Sequence, residues 1–186
     1  NVGKMYTIPL SNLKYNKDYI INDVIGSQDD ILLVIDMSTL NIYNNLITVS
    51  KNGFVKKTSV KEYNLRAKKG TSITKLDDND KLIGIFLSSD DNDKLLVVNT
   101  SGNYNYYNLG TISVTGRITK GVKAIKLVDN EYIDSVKLIK ASLTYKSIII
   151  NGVKELPITI LTTTNRAAKG PKLDENFSSL EVKMLW

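Results

Sequence analysis

The chain of 186 residues has no histidine and no cysteine, only three prolines and a single tryptophan. Each absence removes a chemistry. Without cysteine there is no disulfide framework and no thiol nucleophile, and without either residue no His/Cys zinc site can form. A Ser-His-Asp triad or an imidazole general base is excluded for the same reason. An enzyme built on this chain would have to work with carboxylates, lysine, tyrosine or a carboxylate-held metal. Long apolar runs are missing as well: the longest, Ile31 to Ile35, has five residues, against about 20 for a membrane-spanning helix. No signal-peptide pattern opens the chain, and its start at Asn1 reads as a processed or cut end of something longer. The absence of cysteine fits a reducing compartment.

What is abundant points to sheet. Fifty residues are β-branched (21 Ile, 14 Val, 15 Thr) against five alanines. β-branched side chains lose χ1 freedom in helices and pack well on a pleated surface, which predicts an all-β chain. The length fits one domain with a substantial core.

Three landmarks recur at a common period of about 50 residues. Gly3, Gly53, Gly102 and Gly152, separated by 50, 49 and 50 residues, each open a short strand-like run. An Arg-x-x-Lys-Gly signature appears as Arg66 to Gly70, Arg117 to Gly121 and Arg166 to Gly170. Acidic turns lead into apolar runs at Asp29-Asp30-Ile31, Asn79-Asp80-Lys81-Leu82 and Asn130-Glu131-Tyr132-Ile133. The first repeat lacks the arginine signature and has Asn16 to Ile20 in its place. The period divides the chain into repeats of about 1–45, 46–92, 93–141 and 142–186 within a single domain.

In the best-formed repeat the pattern predicts strands at Leu46–Ser50, Gly53–Val60, Thr71–Leu76 and Lys81–Leu87, the first two joined by the turn Lys51-Asn52-Gly53. A four-stranded antiparallel unit at this period is the pattern of a propeller blade, whose bare faces are buried by stacking neighbours. The expected architecture is a propeller-like array of about four such blades. The terminal stretch Leu180 to Trp186 matches a fourth strand and is placed to close the array against the incomplete first repeat.

The formal charge of +6 is segregated. Residues 46–76 carry eight basic side chains and one acid, residues 77–93 six aspartates and one lysine, and residues 94–128 five basic side chains and no acid. On stacked blades the basic positions would form a band suited to a polyanion, bound without sequence preference and with strong salt dependence. The candidate phosphate contacts are Lys56, Lys57, Lys61, Arg66, Lys68, Lys69, Arg117, Lys120, Lys123, Arg166, Lys169 and Lys172. A merely solvated face would explain any one lysine pair; recurrence of the signature in three repeats favours a ligand. Tyr104, Tyr106 and Tyr107 read as strand packing rather than base stacking. The clusters Asp77 to Asp80 and Asp90 to Asp93 lack the spacing of a calcium loop and read as polar turn tips, so no metal site is expected.

Lys51 to Thr58, Glu62-Tyr63, Arg66 to Gly70 and Asp80 to Ile83, followed by Thr100-Ser101-Gly102, Gly116-Arg117, Lys120-Gly121-Val122 and Ile125-Lys126-Leu127, resemble blades of the C-terminal domain of the type II DNA topoisomerase A-subunit. That family comprises the A-subunit of DNA gyrase and its topoisomerase IV counterpart. The resemblance implies a β-pinwheel, in which neighbouring blades exchange strands, and a non-catalytic role: double-stranded DNA is bent around a basic rim and delivered to a cleavage core elsewhere. Partners implied are the N-terminal cleavage domain of the same polypeptide and an ATPase subunit, in the cytoplasm at the nucleoid. No cofactor is expected in this domain; the parent enzyme would use ATP and Mg. The glycine-rich box of the gyrase family member, Gln-Arg-Arg-Gly-Gly-Lys-Gly, aligns with Asn64, Leu65, Arg66, Ala67, Lys68, Lys69 and Gly70. Only Arg66, Lys69 and Gly70 match, a departure that points to a topoisomerase IV-like or divergent role. The alternative from another class is a propeller scaffold for an acidic protein partner. A carboxylate enzyme would need acids converging in a central channel, whereas here they gather on turns.

Overall fold

The computed structural model describes residues 3–63 and 70–184. The strands are β1 (Lys4–Met5), β2 (Asn45–Ser50), β3 (Phe54–Ser59), β4 (Thr71–Ser72), β5 (Leu82–Ser88), β6 (Lys94–Asn99), β7 (Tyr104–Asn108), β8 (Val122–Lys123), β9 (Ile133–Ile139), β10 (Tyr145–Ile150), β11 (Lys154–Pro157) and β12 (Leu180–Met184). They form antiparallel sheets in the orders β5-β2-β3-β8, β7-β6-β9, β11-β10-β12 and β1-β4. The all-β architecture read from β-branched content is what the chain adopts, and the hairpins fall at the expected turns.

Strand exchange is visible in the pairing. The third strand of a repeat joins the second strand of the repeat before it: β8 pairs with β3 (Phe54 opposite Lys123, Val55 opposite Val122), and β4 pairs with β1. Lys172 makes the equivalent bridge to Asn103. A matching hydrogen bond recurs at each exchange: the amides of Ile73, Ala124 and Leu173 donate to the carbonyls of Gly3, Gly53 and Gly102 at 2.8, 2.8 and 2.7 Å.

Apolar burial follows from stacking. On β6 the alternating side chains Leu95 and Val97 enter a core shared with Ile47, Val49 and Val55, whereas Leu96 and Val98 enter a core shared with Ile148 and Ile150. A strand sandwiched between two blades must be apolar on both faces, and β6 reads Lys-Leu-Leu-Val-Val-Asn. A third core, around Leu40, Leu46, Val60, Tyr63, Ile73 and Leu82, joins the first and second repeats. Tyr104, Tyr106 and Tyr107 are buried in these cores, as expected.

The first repeat departs from the blade pattern. Among residues 3–44 only β1 is a strand; short helices α1 (Ile21–Ile25) and α2 (Met37–Leu40) follow. The run Ile31 to Ile35, which falls one period before the fourth strand of the second repeat, is in no strand, and Val34 is 66% exposed. In the other repeats the fourth strand pairs with a first strand, and residues 3–44 contain none for it to join. This segment and β5 enclose an apolar cavity of about 510 Å³ lined by Met5, Ile8, Leu13, Ile31, Leu33 and Leu82. The chain end also differs from expectation: β12 pairs with β10 of its own repeat, as a fourth strand does, and not with the first repeat. Among the described residues no helix is long and apolar enough to cross a membrane.

Candidate nucleic-acid interface

The basic residues singled out in the sequence divide by strand. Lys56 and Lys57 on β3 are 1% and 3% exposed, so they do not reach a surface ligand. Lys56 Nζ donates to the carbonyls of Ile73 (2.6 Å) and Arg117 (2.5 Å), and burial, reinforced by the Arg117 charge, lowers its pKa to about 8. Asn105 takes the same place one repeat later, its Nδ2 donating to the carbonyls of Ala124 (3.3 Å) and Ala168 (2.9 Å). Both side chains sit three residues past the hairpin glycine and tie an exchanged strand to the loop of the following repeat. Lys57 Nζ bonds the Leu109 carbonyl at 3.0 Å and the Asp91 carboxylate at 2.8 Å.

The Arg-x-x-Lys-Gly signature also works at this seam. Arg117 Nη1 donates to the Ser72 carbonyl at 2.5 Å and Arg166 Nη1 to the Lys123 carbonyl at 2.7 Å. The acceptors stand two residues past Gly70 and Gly121, on or beside the strand exchanged into the preceding blade. The amides of Lys75 and Lys126 add bonds to the Thr119 and Ala168 carbonyls, at 3.2 and 2.8 Å. The glycine closes the approach: at Gly121 (φ +93°) a Cβ would lie 2.3 Å from the Val55 carbonyl oxygen, and at Gly170 (φ +73°) 1.9 Å from that of Tyr104. Periodic recurrence of the signature therefore has a packing cause. Lys120 is half-buried, pairs with Asp77 and lies 3.9 Å from the Phe54 ring centroid.

The acids are spent on similar work. Asp80 Oδ1 accepts from the Asn52 and Lys81 amides at 2.9 and 2.8 Å. Buried Asp93 accepts from Ser88 Oγ and the Ala141 amide and pairs with Lys140 at 3.2 Å. Among the described residues no group of three or more carboxylates converges in a way that could hold a metal ion. The alternating charge seen along the chain is thus partly cancelled in space, through Lys57–Asp91, Lys120–Asp77 and Lys140–Asp93.

Of the candidate contacts, those that stay exposed lie on the loops and the exchanged strands. Lys61, Lys123, Lys169 and Lys172 are exposed, Lys172 in a pair with Glu175. Lys75 and Lys126, which the sequence reading missed, are exposed at one equivalent position, five residues past Gly70 and Gly121. That shared offset was the signal available, although Glu175 occupies the same position in the last repeat. Arg66, Lys68 and Lys69, with the rest of the box from Asn64 to Lys69, lie outside the described residues; Gly70 packs beside the Tyr6 ring.

The fold has known relatives. The family model described as "DNA gyrase C-terminal domain, beta-propeller" matches residues 44–89 and 93–140. The chain belongs to that family. The DNA gyrase A-subunit of Metamycoplasma arthritidis is 27% identical over 168 residues, 89% of this chain but only 19% of that protein. A solved DNA gyrase A C-terminal domain superposes with a TM-score of 0.75 at 24% identity, over all of this chain and 64% of that one. The C-terminal domain of DNA topoisomerase IV gives the same score and identity over 87% of this chain and 54% of its own. These two likenesses bear on the fold.

Proposed function

We propose that this gyrase-family domain binds duplex DNA without sequence preference and bends or wraps it. The bound segment is thereby presented to a cleavage core formed elsewhere in the A-subunit of a type II topoisomerase. Family membership supports the class of ligand. The observation that carries the reading on this chain is the set of exposed lysines on the exchanged strands and adjoining loops: Lys75, Lys123, Lys126, Lys169 and Lys172. Lysine ammoniums spaced by a blade period neutralise phosphates and release counterions without reading bases. Lys61 and the residues Arg66, Lys68 and Lys69 belong to the same proposal. The domain does no covalent chemistry of its own. Strand cleavage, ATP and Mg fall to the N-terminal domain of the parent polypeptide and an ATPase subunit, in the cytoplasm at the nucleoid.

The test is binding of a fluorescent 40-base-pair duplex followed by anisotropy over a range of salt concentrations. Micromolar or tighter binding at low salt is expected, with log K falling steeply against log[salt], for unrelated sequences alike. A flat salt response would refute the proposal.

A further inference from the structure

The two described arginines of the repeated signature occupy equivalent places. Arg117 and Arg166 each commit one Nη1 donor to a backbone carbonyl of the preceding repeat, Ser72 and Lys123 respectively. Arg166 Nε is buried with no hydrogen-bond partner among the described residues, so this guanidinium faces the seam and not the solvent along that edge. The carbonyl that Arg166 holds belongs to Lys123, whose own side chain is exposed, and three residues on the chain exposes Lys126. Arg117 stands in the same relation to Ser72 and the exposed Lys75. A planar guanidinium keeps its donors in a fixed fork, so the bond it makes holds that carbonyl in a set direction.

We propose that Arg117 and Arg166 are positioning residues: each pins the exchanged strand that displays the lysines of one blade onto the loop of the next, and so sets the curvature imposed on bound DNA rather than gripping its phosphates. The inference rests on the DNA-bending reading above. Lysines about 50 residues apart act on one duplex only through the seam between their blades. Duplex DNA resists bending, so a compliant seam would yield before the DNA did. Further bonds cross the same seams: Lys56 Nζ to the Arg117 carbonyl, Asn105 Nδ2 to the Ala168 carbonyl, and the amides of Lys75 and Lys126 to those of Thr119 and Ala168.

Arg166→Lys and Arg166→Gln separate the two roles, because the first keeps the charge and both lose the fork. Three readouts are taken on the whole chain: amide hydrogen exchange in β8 without DNA, the salt slope of duplex binding, and the end-to-end distance of a bound duplex labelled at both ends. Both variants are expected to exchange roughly tenfold faster in β8 than the wild type. They should also leave the bound duplex straighter, with the salt slope unchanged. Wild-type exchange at β4, which Arg117 holds, verifies that the variants are otherwise folded. The proposal is overturned if Arg166→Lys keeps wild-type exchange and bending while Arg166→Gln loses about 0.9 from the salt slope, the signature of one phosphate neutralised by that side chain. If the wild type itself shows no salt-dependent binding, the DNA reading fails and the curvature role with it, whereas the β8 exchange still reports whether the arginine is a latch.

Discussion

The close crossing at Gly170 gives a quantitative prediction. Gly170 and Gly152 have nearly the same left-handed backbone, φ +73° and +71°. Their surroundings differ completely: nothing lies within 4 Å of a Cβ built at Gly152, whereas at Gly170 it would meet the Tyr104 carbonyl oxygen at 1.9 Å and Asn105 Oδ1 at 2.5 Å. Gly152→Ala should therefore cost only the left-handed penalty of an L-residue, about 1–2 kcal/mol. Gly170→Ala carries the same penalty and must also push the last repeat off β7. The bonds at risk are Tyr104 N to Pro171 O (2.9 Å), Leu173 N to Gly102 O (2.7 Å) and Asn103 Nδ2 to Gly170 O (3.2 Å). At about 1 kcal/mol net for each, the total reaches about 4–5 kcal/mol. Urea unfolding of both variants beside the wild type reads the difference, with the midpoint shift of Gly170→Ala at least twice that of Gly152→Ala. Equal shifts for the two variants would refute the close approach, and with it the strand exchange that causes it.

Replacing Lys123 and Lys126 together by Ala should weaken binding to all duplexes alike and reduce the salt slope by about 2, at roughly 0.9 for each phosphate no longer neutralised; anisotropy titrations check this, and an unchanged slope removes both residues from the interface. Lys56, with its pKa lowered to about 8 by burial, binds its proton less tightly in the folded chain than in the unfolded one, whose lysines titrate near 10.5. Its contribution to stability should thus rise with pH from about 8 toward 10. Melting curves of Lys56→Met should lack that rise relative to the wild type. The window ends near pH 10, above which Tyr63, pushed up to about 12 by burial, works in the opposite direction. Asn151 holds the approach to β12, its Oδ1 accepting from the Ser178 and Ser179 amides at 2.8 and 3.1 Å; Asn151→Ala should speed amide exchange across Leu180–Met184 while leaving β6 protected.

The period of glycines, the hairpin turns and the four-strand rhythm of residues 45–88 were legible in the sequence because each is local: β-branched runs broken by Asn-Gly turns. Strand exchange was not legible from the residues alone. A third strand offered to its own repeat or to the one before it leaves the same periodic pattern, and Phe54 meets Lys123 only in space. The resemblance to a known family supplied what the pattern lacked. Lys56 and Lys57 misled because adjacent strand residues point to opposite faces, and a polar pair normally marks at least one solvated face. On β3 both faces are covered, one lysine reaching Ile73 and Arg117 and the other Leu109 and Asp91. The counterpart of Lys56 in the next repeat is Asn105, a match of role without a match of residue type. The arginine signature was read as a ligand site for its recurrence, yet a repeating seam requires recurrence equally.

The central claim is that this domain bends DNA around itself, and closing a nicked circular duplex with ligase in its presence tests this directly. The account predicts a linking-number distribution that shifts in one direction as protein is added, and a shift that shrinks in Arg166→Lys although binding persists. A distribution identical to that of protein-free circles, at concentrations where the DNA is fully bound, would contradict it.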